Sequence, residues 1–156
     1  ICSLPNTEYK GRPPKFPLPP YVIRYFDKDS QEWVEDRAGS ESWNDREAEL
    51  WRQLWRLPQA RAWKQPQLKY LHYQIASYVR ECVVCESPSA KAADVAVKIR
   101  LEDRIGLSEA GLQALGWKIS EDNVDMAAHE VPATDAEASE SGMDTKIVQF
   151  PRRLRA

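Results

Sequence analysis

The sequence predicts a mainly α-helical protein: a small bundle of about four helices, with an extended N-terminal arm and a short β-hairpin. Apolar residues recur at helical spacing from residue 42 to residue 119. Prolines cluster at the start of the chain, and a β-branched and aromatic segment follows them. The chain has 156 residues, of which 42% are hydrophobic, so we expect one domain with tails.

The N-terminal part predicts an arm followed by a hairpin. Residues 1–20 hold six of the eleven prolines, and proline fixes φ and lacks an N–H donor, so this segment should be extended. In residues 21–41, Tyr21–Phe26 and Glu32–Val34 predict two strands around the turn Asp27–Ser30. A lone hairpin is marginally stable, so it should pack on the helices or on another chain.

Residues 42–123 form the predicted helical core. The first helix should begin with Ser42 or Asn44 as its N-cap and end at Pro58. A second helix should open at Pro66. Its apolar stripe consists of Leu68, Leu71, Ile75, Val79 and Val83.

Two shorter helices complete the predicted core. The third covers about Lys91–Ile105, with Gly106 as its C-terminal cap. The fourth starts at Ser108 and should place Ile119 on its apolar side. The apolar positions of the third helix are Val95, Val97, Ile99 and Leu101.

The C-terminal segments carry opposite charges within a total of −2. Residues 124–145 have six acidic and no basic side chains and predict a disordered linker. Residues 146–156 have four basic and no acidic side chains, with alternating apolar residues, and predict a docking peptide. Its candidate contact residues are Ile147, Phe150, Arg152, Arg153 and Arg155. An unstructured basic end without a role is the alternative.

The strongest functional signal is a basic stretch without acidic residues between Glu49 and Glu81. The resulting positive electrostatic potential favours a polyanionic partner, because Arg and Lys neutralise phosphates. The candidate DNA-binding residues are Arg52, Arg56, Arg61, Lys64 and Lys69; Arg80 also lies in the stretch. The interleaved aromatic residues should fill the core, because Trp51 and Trp55 flank the leucine stripe of the first helix, Leu50, Leu54 and Leu57.

No enzyme signature is present, and we expect neither catalysis nor a cofactor nor a bound metal. The sequence lacks phosphate-binding, dinucleotide-binding, zinc-protease and serine-hydrolase motifs. Cys82 and Cys85 form a CxxC without a second ligand pair, so two small buried hydrophobic residues are the favoured interpretation.

We also expect a soluble protein from a reducing cytosol. No apolar run approaches the roughly 20 residues of a membrane span, Ile1–Pro5 is not a secretory signal, and the cysteine count is odd.

Three segments, in order and at matching spacing, resemble the small subunits of tailed-phage terminases, particularly those of actinobacterial phages. Residues 50–63 (LWRQLWRLPQARAW) resemble their helix–PQA–Trp segment. Residues 99–108 (IRLEDRIGLS) with 115–119 (LGWKI) resemble their LEDRLGLS signature and the L.RW.I that follows it. Residues 78–80 (YVR) resemble the end of the intervening helix. The resemblance covers about residues 43–121.

The resemblance implies a ring-forming, non-catalytic subunit in the host bacterial cytoplasm. Such subunits bind double-stranded viral DNA at the packaging start site, cos or pac, and bring it to the large ATPase and nuclease subunit. The implied ring would bury a Trp-rich surface between subunits, and the C-terminal docking peptide would engage the large subunit. Relatives often carry arginines at the positions of Ala114 and Gly116, so the expected DNA contacts move to the basic stretch.

Two other function classes remain open. The break between the third and fourth helices at Gly106–Ser108 could be the turn of a helix-turn-helix regulator. Against it, residues 109–118 offer only Gln113 and Lys118 as base-reading or basic side chains. Alternatively, the basic stretch could bind an acidic protein in a non-DNA adaptor, and the salt dependence of duplex binding would separate these cases.

Overall fold

The computed structural model describes residues 1–121 and confirms the mainly helical prediction. The strands are β1 Cys2–Leu4, β2 Arg24–Asp27, β3 Glu32–Glu35 and β4 Trp117–Ile119. The helices are α1 Arg37–Leu54, α2 Ala60–Trp63, α3 Leu71–Glu86, α4 Ala92–Ile105 and α5 Glu109–Leu115, with a 3-10 turn at Pro66–Leu68. No helix in this part of the chain is both long enough and apolar enough to cross a membrane. The predicted linker and docking peptide lie outside the described residues.

The first helix begins earlier than predicted. Asp36 is its N-cap, and the Asp36 carboxylate accepts a hydrogen bond from Gly39 N at 3.0 Å. The two polar residues at 40 and 44 hold the preceding segment instead: Ser40 Oγ accepts from Ile23 N, and Asn44 Oδ1 accepts from Tyr21 N, both at 2.8 Å. The predicted cap at Ser42 or Asn44 is therefore wrong, because an upstream Asp already caps the helix.

The predicted hairpin is present. β2 and β3 pair antiparallel, with Tyr25 opposite Val34 and Phe26 opposite Trp33. In the turn, the Asp27 carboxylate accepts hydrogen bonds from Asp29 N and Ser30 Oγ. The hydrogen bond from the Asp29 backbone is the main cause of a lowered Asp27 pKa. These local bonds define the turn, and the hairpin continues directly into α1.

Tryptophans and aliphatic residues of α1, α2 and α3 form the core. The rings of Trp51 and Trp55 lie 5.5 Å apart, and those of Trp55 and Trp63 lie 5.7 Å apart. Trp63 also donates its indole N–H to Ile105 O on α4 at 2.9 Å. All three tryptophans are buried within one chain, so the expected burial of a Trp-rich surface between subunits is wrong for them. The remaining buried members of this cluster are Ala60, Leu71, Ile75, Ala76, Val79 and Ile105.

The C-terminal part of the core ends differently from the prediction. Gly106 caps α4 with a φ of +80°, as its position predicted, and Ser108 caps α5 by accepting from Gly111 N. However, α5 ends at Leu115, because Gly116 adopts a φ of +68° and a strand follows. Ile119 therefore lies in β4, which pairs parallel with β1 from the start of the chain.

Candidate nucleic-acid interface

Two candidate cations lie at the C-terminal end of α1. Arg52 is in the last turn of α1, Arg56 follows the C-cap Trp55, and both side chains line one cleft. Both are exposed: the Arg56 side chain is 69% exposed and forms an ion pair with Glu8 at 3.6 Å. An ion pair this exposed is worth little, so both guanidinium groups remain accessible to an anion.

The proline-rich arm packs against this end of α1. Tyr9 N donates a hydrogen bond to Arg56 O at 2.7 Å. Trp51 donates its indole N–H to Pro14 O at 2.8 Å, and the Phe16 ring packs edge-on against the Trp51 ring at 5.2 Å. Proline lacks an N–H, and its carbonyls still accept, so an indole donor can hold the arm. The arm is therefore a fixed part of the surface.

Two further candidates, Arg61 and Lys64, hold the other side of the arm. The Arg61 guanidinium donates to Thr7 O at 2.7 Å and to Thr7 Oγ1 at 2.8 Å. It also lies over the Tyr9 ring, 5.9 Å from the centroid. Lys64 Nζ donates to Arg12 O at 3.1 Å. Both residues combine a positive charge with a structural task that their sequence positions did not indicate.

The arm adds two cations near these helices. Lys10 and Arg12 are exposed on the arm beside these helices. A cleft of about 400 Å³ lies between the arm and α1, lined by Glu8, Tyr9, Lys10, Gly11, Pro13, Arg52, Trp55 and Arg56. We call Lys10, Arg12, Arg52, Arg56, Arg61 and Lys64 the basic surface. Its single acidic neighbour in that cleft is Glu8.

Sequence reasoning missed Lys10 and Arg12 because nothing local places a proline-rich arm on a helix. The available signal was charge: residues 1–20 contain three basic side chains and one acidic side chain. The fifth candidate, Lys69, is exposed at the end of the 3-10 turn. Within residues 1–121, no side-chain hydrogen bond or ion pair connects Lys69 to the basic surface.

Arg80 has a different task from the other cations of the stretch. Its guanidinium donates to both carboxylate oxygens of Glu47, at 2.8 and 3.1 Å, and to Pro19 O. Glu47 is only 2% exposed and also accepts the indole N–H of Trp43. This pair joins α1, α3 and the arm, so Arg80 is committed to the fold.

The Cys82–Cys85 pair lies half-buried on α3. Burial is the main cause of a raised pKa for both thiols. A redox or metal-binding thiol needs the opposite shift, because the thiolate is the reactive form. Within residues 1–121, no group of three or more His, Cys, Asp and Glu side chains is arranged to hold a metal ion.

No protein-family model, curated protein or solved structure matches this chain. The candidate docking residues Ile147, Phe150, Arg152, Arg153 and Arg155 lie outside the described residues.

Proposed function

We propose that this chain is a non-catalytic DNA-binding subunit of the terminase small-subunit type. In this role it binds double-stranded viral DNA at the packaging start site. It also recruits and regulates the large ATPase and nuclease subunit in the host bacterial cytoplasm. The resemblance of residues 50–63, 99–108 and 115–119 supports this proposal.

The single observation that carries the DNA-binding part is the basic surface. Lys10, Arg52 and Arg56 line one cleft, in which Glu8 is the acidic neighbour. Arg61 and Lys64 contact the backbone of the same arm, at Thr7 and at Arg12. Phosphate contacts from such a face supply affinity and register, without reading base sequence. The tryptophans between these cations are buried, so base stacking is not their task.

Self-assembly raises the affinity of the basic surface for DNA. A ring repeats the basic surface around one DNA molecule, and effective concentration then multiplies weak phosphate contacts. In the same proposal, residues 146–156 dock on the large subunit and are dispensable for DNA binding.

The test is the salt dependence of duplex binding by the full-length chain, measured by fluorescence anisotropy. The variant Arg52→Ala/Arg56→Ala should bind more weakly, and its slope of log affinity against log salt should fall by about 2, because each phosphate contact contributes about 0.9. The matched control is Lys28→Ala/Arg37→Ala. It removes two exposed cations near the other end of α1 and should leave affinity and slope unchanged.

Other outcomes favour the two rival functions. A dimer that binds one palindromic site and loses affinity in Gln113→Ala/Lys118→Ala, but not in Arg52→Ala/Arg56→Ala, would indicate a helix-turn-helix regulator. Absence of duplex binding at low salt by the wild-type chain would refute the DNA-binding proposal and leave the adaptor.

A further inference from the structure

Two tyrosine side chains at the start of α3 are exposed and not covered by the chain. Tyr70 is 58% exposed and Tyr73 is 62% exposed. The Tyr21 ring, by contrast, stacks on the Trp43 ring at 4.2 Å. Within residues 1–121, neither exposed tyrosine has a ring partner or a side-chain hydrogen bond of its own. Both rings are therefore accessible to another molecule.

The two rings lie side by side. Tyr70 has helical backbone angles, with φ −61° and ψ −25°, and Tyr73 follows in the first turn of α3. Residues three apart on a helix are neighbours, with about 5–6 Å between their Cβ atoms. The pair therefore presents adjacent aromatic rings on which planar groups can stack. We call Tyr70 and Tyr73 the tyrosine platform.

The segment that leads into the tyrosine platform is positively charged. Lys64 of the basic surface and Lys69 are both exposed, and residues 50–80 contain no acidic side chain. Residues 62–72 form a series of hydrogen-bonded tight turns, so little chain separates the basic surface from the platform. A positive surface that continues in this way favours a polyanionic ligand.

The carboxylates that bind side chains of α3 do so further along the helix. Glu102 accepts the hydroxyl of Tyr78 at 3.0 Å, and Glu47 pairs with Arg80. The first acidic residue of α3 itself is Glu81. These contacts begin more than one turn past the platform, so its two rings keep a positive neighbourhood.

An exposed tyrosine on the hairpin has the opposite surroundings. Tyr25 is 52% exposed. Because side chains alternate along a strand, Asp27 and Glu32 lie on the same hairpin face as Tyr25. Two carboxylates beside a ring repel a polyanion, so exposure alone does not select Tyr25 for the same ligand.

We infer that the tyrosine platform binds unpaired DNA bases, with Lys64 and Lys69 on the phosphates of the same strand. Every base has a flat face, so stacking on tyrosine accepts any sequence, and the cations hold the backbone. Inside an intact duplex both faces of a base are covered by its neighbours, so the platform distinguishes open from closed DNA. The inference deepens the proposed function and rests on it, because the basic surface binds the adjoining duplex.

The test compares a fully paired duplex with an open duplex, which has the same length and a short central run of unpaired thymines. Fluorescence anisotropy measures the affinity of the full-length chain for each. Both DNAs carry the same number of phosphates, so the ratio of affinities reports the bases. Wild type should prefer the open duplex by at least about fivefold, the lower end of the effect of stacking one base on an aromatic ring.

Variants of the platform isolate the rings. Tyr70→Ser/Tyr73→Ser should bind both DNAs equally, with the salt dependence of duplex binding unchanged, because no cation is lost. Tyr70→Phe/Tyr73→Phe keeps the rings and should keep the preference. Tyr25→Ser is the matched control and should behave as wild type. A strand with 5-iodouracil in the open run should crosslink to the platform on irradiation, as mapped by mass spectrometry.

Three results would overturn the inference: no preference in wild type, an unchanged preference in Tyr70→Ser/Tyr73→Ser, or its loss in Tyr25→Ser. Duplex binding that persists in any of these cases leaves the proposed function standing. Binding of open DNA that needs the platform, without any binding of paired DNA at low salt, would refute the proposed function instead. Thermal unfolding checks each variant. If the double serine variant does not fold, Lys69→Gln replaces it and should lower the salt slope for open DNA by about 1.

Discussion

Replacing Arg80 by methionine should lower the free energy of unfolding by about 3 kcal/mol. The substitution leaves the Glu47 carboxylate buried, 3% exposed at its side chain, without its cation. Removing one partner of a buried ion pair costs about 3–5 kcal/mol, and the 21% exposure of the Arg80 side chain places the effect at the lower end. It also removes the hydrogen bond to Pro19 O and the packing on Tyr21. The arm should therefore loosen as well.

Urea unfolding at fixed protein concentration, followed by tryptophan fluorescence, measures this cost. The double variant Glu47→Leu/Arg80→Met should recover at least about 1 kcal/mol relative to Arg80→Met, because no charge is then left buried alone. Arg46→Met is the control: Arg46 pairs with Glu86 in an exposed position, and its loss should cost much less than the loss of Arg80. A cost below 1 kcal/mol for Arg80→Met, or a double variant less stable than Arg80→Met, would refute the reasoning.

Two further predictions concern the backbone and the thiols. Gly106→Ala should destabilise the fold by about 1–3 kcal/mol, because φ is +80° and a Cβ would lie 3.0 Å from the Trp117 ring. At Gly116 φ is similarly positive, +68°, but an added Cβ would have no atom within 4 Å. The difference in stability between Gly106→Ala and Gly116→Ala, measured by thermal unfolding, therefore isolates the steric part of the cost. Cys82 should react with iodoacetamide more slowly than the exposed Cys2 at pH 7.5, since burial raises the pKa of the Cys82 thiol and lowers its thiolate fraction. Peptide mapping over time would check this order, and equal rates would contradict it.

The sequence predicted the charges of the candidate site more fully than their roles. Arg52 and Arg56 are exposed and line one cleft, in agreement with their spacing. Arg61 lies in the same stretch, yet its guanidinium holds Thr7, 54 residues away. Whether a cation remains accessible depends on which distant carbonyl or carboxylate reaches it. A pattern of local spacing does not contain that information.

Features that depend on neighbours a few residues apart could be predicted from the sequence. Helical spacing marked the helices, Gly106 and Ser108 marked two caps, and the leucine stripe marked Trp51 and Trp55 as core, because hydrogen bonds and side-chain faces within a helix follow local rules.

The paths of the N-terminal arm and of residues 117–119 could not be predicted from local patterns and follow from tertiary contacts. The arm lies on α1 because the Trp51 indole reaches Pro14 O, 37 residues earlier. β4 exists because Cys2–Leu4 pairs with Trp117–Ile119 across almost the whole described chain. Such contacts depend on the packing of the complete core, since many segments of similar composition compete for the same donors and apolar surface.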